Sequence, residues 1–565
     1  MRLDADRKSM MILWGILALA FLLRFVGIGF GLPHVYHQDE PIVVNNAMAI
    51  GVRGWNPHFF VLPPFSMYFL FFAYAVYFLA GKTMGVFSDA SSFGVAFLSD
   101  PTAFYLIGRF FLGVVFGVLA VYWLYGIARR HFSEKTAVYS ALFLSVCYLH
   151  ATHSHYIYAD IPLVFFLVAM FGSFLDFYEK PSVKTRIAFA VFTGLSVSAK
   201  YTAVYFLPVY FLFYLFGQKK EPLSQKLVSF LTVGVASLAV FALVAPYTFL
   251  SWNEFYSQIH AQTGAEGFLG YTYHLRYSLA NGVGWPVLLL AGAGIYVMMF
   301  FYRFKAWLIL ALCLVYYGIN IFFSQPFTRY MLPLAPLLCL LAAFGWGVVG
   351  QGMGTLVRRA VLTLILIGSV LPLLYLDALF LKQDTRAIAR DWIEKNIPQG
   401  SVIARDSAFW TPHLIQTPEQ IENKYGMKGA DDPAKHKRLD LMKQIAKNKA
   451  TYNLFTFSET RDDGDAGFLF QKPLVRINQA AFKNINAQYL IVAYSSNEVK
   501  VWGLKEELLA NGKLELVASF SPYRTSDKKK EQVDKFSCTA APDDLAELFR
   551  RQRLGPYLEI FQVKS

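Results

Sequence analysis

The sequence predicts a polytopic α-helical membrane domain followed by a soluble α/β domain, and three observations carry that expectation. Of 565 residues, 56% are hydrophobic and 17% aromatic, and only 16% are charged, against about 25% in an average soluble domain. Apolar runs of about 20 residues, enough to cross a bilayer, recur from residue 9 to about residue 380 and then stop. Beyond that point the chain becomes polar, over a length typical of one domain. The domains expected are 1–380 in the membrane and 381–565 outside it.

The formal charge of +14 is explained by cytoplasmic loops and anionic lipid before any other partner, so no nucleic-acid role is assigned. Cys147, Cys313, Cys339 and Cys538 show neither a disulfide framework nor metal-ligand spacing. Residues 10–32 are too long for a signal-peptide core and lack a small-residue cleavage site, so they are expected to be a retained first span.

Arg2, Arg7 and Lys8 place the N-terminus inside by the positive-inside rule. The adjacent carboxylates Asp39 and Glu40 then lie outside, where the chain leaves lipid for water. Residues 63–80 are apolar enough for a second span, but the run 104–128 ends in Arg129-Arg130-His131, which should face the cytoplasm. Counting 63–80 as a crossing would turn that basic end outward. We therefore read 63–80 as a juxtamembrane or re-entrant helix inside one large outer loop, residues 33–102. From there parity holds without adjustment. Span three, 136–155, emerges outside before Asp160, and span four returns to Lys180, Lys184 and Arg186. Spans five and six turn outside at Lys200 and come back to Lys219-Lys220, and span seven opens an outer loop, 251–284, that contains Arg276. Spans eight and nine meet inside at Arg303 and Lys305, span ten runs from Arg329 to Arg358-Arg359, and span eleven delivers the C-terminal domain outside. The expected count is about 11, in a range of 10 to 13.

The C-terminal part opens with a helix-like stretch around Arg390-Asp391-Trp392, stopped by Pro398-Gln399-Gly400. Strand-like runs follow at 401–405, 489–494, 514–520 and 557–563. The lysine-rich stretch 426–449 reads as a mobile loop or an exposed helix. No catalytic motif stands out in this domain.

Topology thus gathers Asp39, Glu40, Asp160, Lys200, Arg329 and the soluble domain on one face. One-sided clustering of ionisable groups at span ends points to an active site at the outer surface, because charge at the bilayer centre costs about 2.5–3.5 kcal/mol. The bland reading of the first pair is local: Asp39 could be an N-cap, with Glu40 and Pro41 in the first helical turn. Lys200 could simply snorkel, and tyrosines such as Tyr158 are first explained as interface anchors. In the cluster His150, His153 and His155, the helix neighbours His150 and His153 could join Asp160 in a zinc or manganese site, though interfacial histidines bonded to headgroups or neighbouring helices are commoner. A transporter or lipid flippase also has many spans and intramembrane charges. Its ionisable groups, however, tend to lie near the midplane on broken helices with repeat symmetry, and no repeat is visible here.

Four motifs in order resemble the GT-C glycosyltransferases, in the protein mannosyltransferase and lipid A aminoarabinose transferase-like group. They are Asp39-Glu40, Pro63-Pro64-Phe65-Ser66-Met67-Tyr68, Tyr158-Ala159-Asp160-Ile161-Pro162 and Arg329-Tyr330-Met331-Leu332-Pro333-Leu334-Ala335-Pro336. Asp384-Thr385-Arg386 at the entry to the soluble domain is similar too, and the likeness covers most of residues 9–400. One departure stands out: the lysine that helps hold donor phosphate in the aminoarabinose transferase is replaced here by Val61-Leu62-Pro63.

The resemblance implies an inverting sugar transfer from a polyprenyl-phosphate donor to an envelope lipid, glycan or protein, an EC 2.4 activity. Asp39 is expected as the general base, with Glu40 and Asp160 orienting the acceptor. Arg329, Lys200, Arg276 and Arg53 are the candidates for the donor phosphate. Tyr36, His58, Tyr68, His155 and Tyr158 are candidates for the sugar or acceptor pocket. A divalent cation, magnesium or manganese, could sit among Asp39, Asp160 and His155. The setting implied is a monomer in the inner membrane, with its site and C-terminal domain periplasmic.

Overall fold

The computed structural model describes residues 2–219, 221–260, 270–322, 327–425, 433–458, 474–476, 479–494, 499–523 and 542–564. The chain is a polytopic helical membrane protein with a C-terminal domain built on a sheet. Among the described residues, eight helices are long and apolar enough to cross a membrane. Seven of them coincide with expected spans, and the eighth is Phe65–Thr83. The other expected crossings fall on shorter or less uniformly apolar helices: Glu134–Ser145 with Tyr148–His153, Val183–Ala199, Leu207–Gly217 and Arg303–Asn320.

The helix Asp160–Glu179 is apolar on every side, and nearly all its residues are buried, as a helix with no polar face must be. The other helices close around it. Trp285–Phe301 and Ala335–Val349 cross at Gly294 and Gly345. A Cβ on Gly294 would stand 1.8 Å from the Leu341 carbonyl oxygen, and one on Gly345 2.0 Å from that of Leu290. Only residues without a side chain allow backbones to meet so closely, the usual device for joining helices in lipid.

Charge marks the two ends of the bundle. At one end Arg130 pairs with Asp176, while Glu179 receives Lys305 at 2.7 Å and His131 at 3.2 Å. At the other end lie Asp160, Lys200, Arg329 and Asp39.

In the C-terminal domain, helix Thr385–Asn396 starts at Asp384, whose carboxylate accepts the Arg386 amide. Among the described residues seven strands follow: β1 (Val402–Arg405), β2 (Ile415–Gln416), β3 (Thr451–Ser458), β4 (Leu474–Arg476), β5 (Tyr489–Tyr494), β6 (Leu514–Phe520) and β7 (Tyr557–Val563). Their order is β2-β3-β1-β5-β7-β6, with β4 also on β3. The β1, β3 and β5 pairings are parallel, and the β5–β7 and β7–β6 pairings antiparallel. The sequence marked β1, β5, β6 and β7. It missed β3, whose residues Thr451–Ser458 mix polar and apolar positions, and the short β2 and β4. Of the lysine-rich stretch, Pro433–Lys447 is helical, and 426–432 lies outside the described residues.

This domain touches both ends of the segment 33–102. Arg390 Nη1 is 2.8 Å from His34 Nδ1, and Lys449 Nζ donates to the Ser99 carbonyl at 3.3 Å. A single crossing between residues 34 and 99 would leave them on opposite faces. Phe65–Thr83 meets the length requirement for a span, while residues 34 and 99 on its two flanks both meet the C-terminal domain.

Candidate active site

Asp39 occupies the N-cap position of helix Glu40–Arg53, but its backbone is αR (φ −87°, ψ −22°) and its carboxylate makes no capping bond. A residue in that conformation aims its side chain away from the first-turn amides, so the carboxylate is available elsewhere. It faces Arg329: Oδ2 lies 3.2 Å from Nη1. The two are close but misaligned, and both atoms are buried without a hydrogen bond. Arg329 Nε, likewise without a hydrogen bond, stands 3.9 Å from Asp160 Oδ2. Lys200 Nζ closes the group with a 2.6 Å bond to Asp160 Oδ1.

Local structure explains these placements. Asp160 opens its helix, where the helix dipole favours an anion, and Lys200 ends helix Val183–Ala199, where it favours a cation. Arg329 sits in the tight 3-10 turn Thr328–Leu334, ahead of the Pro336 that starts the next helix. Tyr158, Phe327 and Tyr330 surround the cations, with Arg329 Cζ 5.1 Å, 4.2 Å and 5.8 Å from their ring centroids. Lys200 Nζ lies 5.7 Å from Tyr158 and 5.5 Å from Tyr330. Two carboxylates thus balance two cations in an aromatic cup, where attraction is stronger than in water.

Glu40, next to Asp39, turns elsewhere. Its oxygens take Arg109 Nε at 2.8 Å and Nη2 at 2.7 Å, and Oε1 also accepts the Ile157 amide at 3.0 Å. Both side chains are fully buried. Arg109 begins the π-helical stretch Arg109–Val115, and its Nη1 donates to the carbonyls of Ile28 and Phe30. A widened turn of this kind marks functional or strained positions in helices. The pair ties the turn after the first helix, at Ile28 and Phe30, to the helix Glu40–Arg53 and to the loop at Ile157. Sequence reading passed over Arg109, although an arginine inside an apolar run is the signal for a buried partner.

The remaining candidates scatter. His58 is exposed and pairs with Glu254 at 3.1 Å, and Arg53 is exposed. Arg276 is exposed and stands 3.9 Å from Asp544. The Tyr68 hydroxyl donates to the Trp55 carbonyl. Tyr36 lies under the C-terminal domain, with Arg386 Cζ 4.0 Å above its ring and His413 beside it. His155 has its ring nitrogens against the carbonyls of Ala151 and Val26, with Asp377 at 3.5 Å, so it does not join Asp39 and Asp160 as a ligand. Among the described residues, no three His, Cys, Asp or Glu side chains gather as a metal site. Cys147, Cys313 and Cys339 are free thiols, and Cys538 lies outside the described residues.

Two histidines lie just before Asp39 in the chain, His37 against the Asp39 backbone and His34 against Arg390 of the C-terminal domain. His37 Nδ1 accepts the Asp39 amide at 3.2 Å, which fixes the backbone that carries the carboxylate. Burial, with Glu40 opposing and Arg329, His153 and Arg109 adding, pulls the His37 imidazole down to about 3. Burial and then Arg390 and Lys449, against Asp100, pull His34 down to about 4. Both rings are therefore neutral in the fold, whereas the unfolded chain protonates them near 6.5. A depressed pKa means stability that is complete above about pH 6.5 and declines as pH falls toward 3. The melting temperature of the purified protein is expected to drop through that window, and His34→Gln should flatten the part between pH 6.5 and 4. An unchanged slope in that variant would rule His34 out as the sensor.

Residues 106–247 match the family model described as dolichyl-phosphate-mannose-protein mannosyltransferase. The matched segment contains Arg109, Asp160 and Lys200 but neither Asp39 nor Arg329. No curated protein matches the chain. Among solved structures, it is similar to ArnT from Cupriavidus metallidurans in the apo state (12% identity, 91% of this chain, 96% of that one, TM-score 0.48). It is also similar to the Archaeoglobus fulgidus oligosaccharyltransferase tethered with an acceptor peptide (13% identity, 86% and 69%, TM-score 0.48). The S. cerevisiae Pmt1-Pmt2 complex bound to the sugar donor shares 24% identity over 46% of this chain and 34% of that one, with a TM-score of 0.31. The group Asp39, Asp160, Lys200 and Arg329, gathered by their ion pairs, is the candidate active site.

Proposed function

We propose that this protein is a GT-C glycosyltransferase that transfers a sugar from a polyprenyl-phosphate donor to an envelope lipid or glycan, with inversion, at the outer face of the inner membrane. The observation that carries the reading is the group at one end of the bundle. There, Asp39 and Arg329 stand 3.2 Å apart with unmade hydrogen bonds, and Lys200 lies across Asp160. The match to a family that uses lipid-phosphate-linked mannose supports the donor class. The opposite basic end, with Arg129, Arg130, Arg303 and Lys305, supports an outward orientation.

The chemistry follows from the charges. The acceptor hydroxyl or amine attacks the anomeric carbon from the face opposite the phosphate. The new bond to the acceptor forms as the bond from that carbon to the phosphate oxygen breaks, and Asp39 takes the acceptor's proton. The departing polyprenyl phosphate is a weak base and needs cations rather than an acid. Arg329 offers a planar fork able to engage two phosphate oxygens, and Lys200 adds a point charge. Donor phosphate would also draw Arg329 off Asp39 and free the carboxylate as a base. Asp160 holds the two cations in place when donor is absent.

The direct test incubates purified protein with a polyprenyl-phosphate sugar and envelope lipid extract, and measures release of polyprenyl phosphate. Arg329→Ala is expected to raise the donor KM and lower kcat/KM by about 10²–10³-fold, the range for losing one donor to a developing oxyanion. A variant that saturates at wild-type donor concentrations would remove Arg329 from the phosphate site. If the wild-type protein releases no polyprenyl phosphate with any acceptor fraction, the transferase reading itself fails.

A further inference from the structure

The turn that holds Arg329 is also bonded at the neighbouring Thr328 by a residue of the C-terminal domain. The Thr328 hydroxyl donates to Asp543 Oδ1 at 2.8 Å, and the Tyr273 hydroxyl donates to Asp543 Oδ2 at 2.7 Å. Asn281 Nδ2 donates to the Asp543 carbonyl at 3.3 Å, and the Tyr148 hydroxyl to that of Pro542 at 3.3 Å. Four polar groups from three separate parts of the membrane domain therefore converge on two consecutive residues. All three bonding side chains at the centre are buried: Asp543 is 9% exposed, Tyr273 5% and Thr328 4%.

The segment around Asp543 is anchored as firmly as its partners. Asp544 caps the helix Leu545–Arg550 by accepting the Ala546 amide. Leu548 of that helix is fully buried in one apolar cluster with Leu23, Phe30, Tyr156, Leu376 and Phe380, all from the membrane domain. The Tyr375 hydroxyl of the last span donates to the Arg551 carbonyl at 2.6 Å. Movement at residue 543 therefore has to carry this helix with it.

We infer that Asp543 is a positioning residue for the donor-phosphate cation, through which the soluble domain sets the place of Arg329. The inference rests on the reading of Arg329 as the phosphate-binding group. Asp543 does not reach the reacting atoms. It acts one residue away, by pinning Thr328 to Tyr273 so that the 3-10 turn offers its guanidinium to the centre of the site. A buried carboxylate that accepts hydrogen bonds from two hydroxyls favours one geometry strongly, since hydrogen bonds to a charged group are stronger than those between neutral groups. Unpinned, the turn would place the guanidinium over a wider range of positions, and displacement of even 1 Å from a productive geometry can cost about 10²-fold in rate.

The test uses the full-length protein and two readouts. Hydrogen–deuterium exchange of peptides covering residues 327–334, in protein without donor, reads the clamp itself. Kinetics with a polyprenyl-phosphate sugar reads its consequence. Asp543→Ala is expected to speed exchange in that turn, raise the donor KM about 10-fold or more, and leave the acceptor KM unchanged. Thr328→Val should reproduce the effect, and the double variant should be no worse than either alone, because both remove one interaction. Asp543→Asn, which keeps an acceptor oxygen, should lose less. Faster exchange with no transferase activity in the wild-type protein would uphold the clamp and reject the transferase reading. Unchanged exchange and unchanged donor KM in a folded Asp543→Ala protein would overturn the inference. A shift shared equally by donor and acceptor KM would reduce Asp543 to general support of the fold and overturn it as well.

Discussion

Asp39→Asn is expected to lower the transfer rate by about 10²–10⁴-fold, the usual worth of a positioned general base, while the protein still folds and still binds donor. The substitution keeps size and shape and removes only the capacity to take a proton. Folding should survive because the carboxylate makes no capping bond and its contact with Arg329, 3.2 Å apart, is not an aligned hydrogen bond. Donor binding should hold or tighten, since Arg329 no longer has a competing anion. The measurement is single-turnover release of polyprenyl phosphate alongside a binding isotherm for polyprenyl phosphate alone. Wild-type turnover in the variant would remove Asp39 as the base, and lost binding would recast it as a support for Arg329.

Glu40→Gln should do the opposite: lose the fold rather than the chemistry. Glu40 and Arg109 are both fully buried and bonded at 2.7 and 2.8 Å. Removing one member of such a pair leaves an uncompensated buried charge, a loss of about 3–5 kcal/mol. The expected outcome is a much lower yield of monodisperse protein and a lower melting temperature. The paired replacement Glu40→Leu with Arg109→Leu should recover much of the loss, because no lone charge is left. A Glu40→Gln protein that folds normally but has lost transfer would return Glu40 to the catalytic group. We accordingly propose Glu40 as a strut and Asp39 as the base, although the two are neighbours in the chain.

Much of the fold was legible because its causes are local. Apolar length places helices in lipid, and basic residues choose a side, so the two charged ends of the bundle could be assigned from residues such as Arg129-Arg130 and Lys305 alone. Four of the strands announced themselves by apolar runs. β3 did not, because it pairs in parallel with three strands, β1, β2 and β4, and its residues answer to contacts made across the sheet. In the site, Asp39, Asp160, Lys200 and Arg329 could each be named from their position at the end of an apolar run. His58, Arg53 and Arg276 satisfied the same criterion and yet lie elsewhere, because position along the membrane normal says nothing about position around the bundle.

By itself the sequence determined the class of fold, the face on which charge collects and the pool of residues able to carry the chemistry. All three follow from the cost of placing charge in hydrocarbon, which acts on each segment separately. Tertiary structure alone decided the assignments within that pool. Adjacent residues at the start of a helix diverge by about 100°, which sends Asp39 to Arg329 and Glu40 to Arg109. It also brought Asp543 from the far end of the chain to the Arg329 turn. Such choices depend on which distant groups share a low-dielectric space, and a linear pattern does not record that.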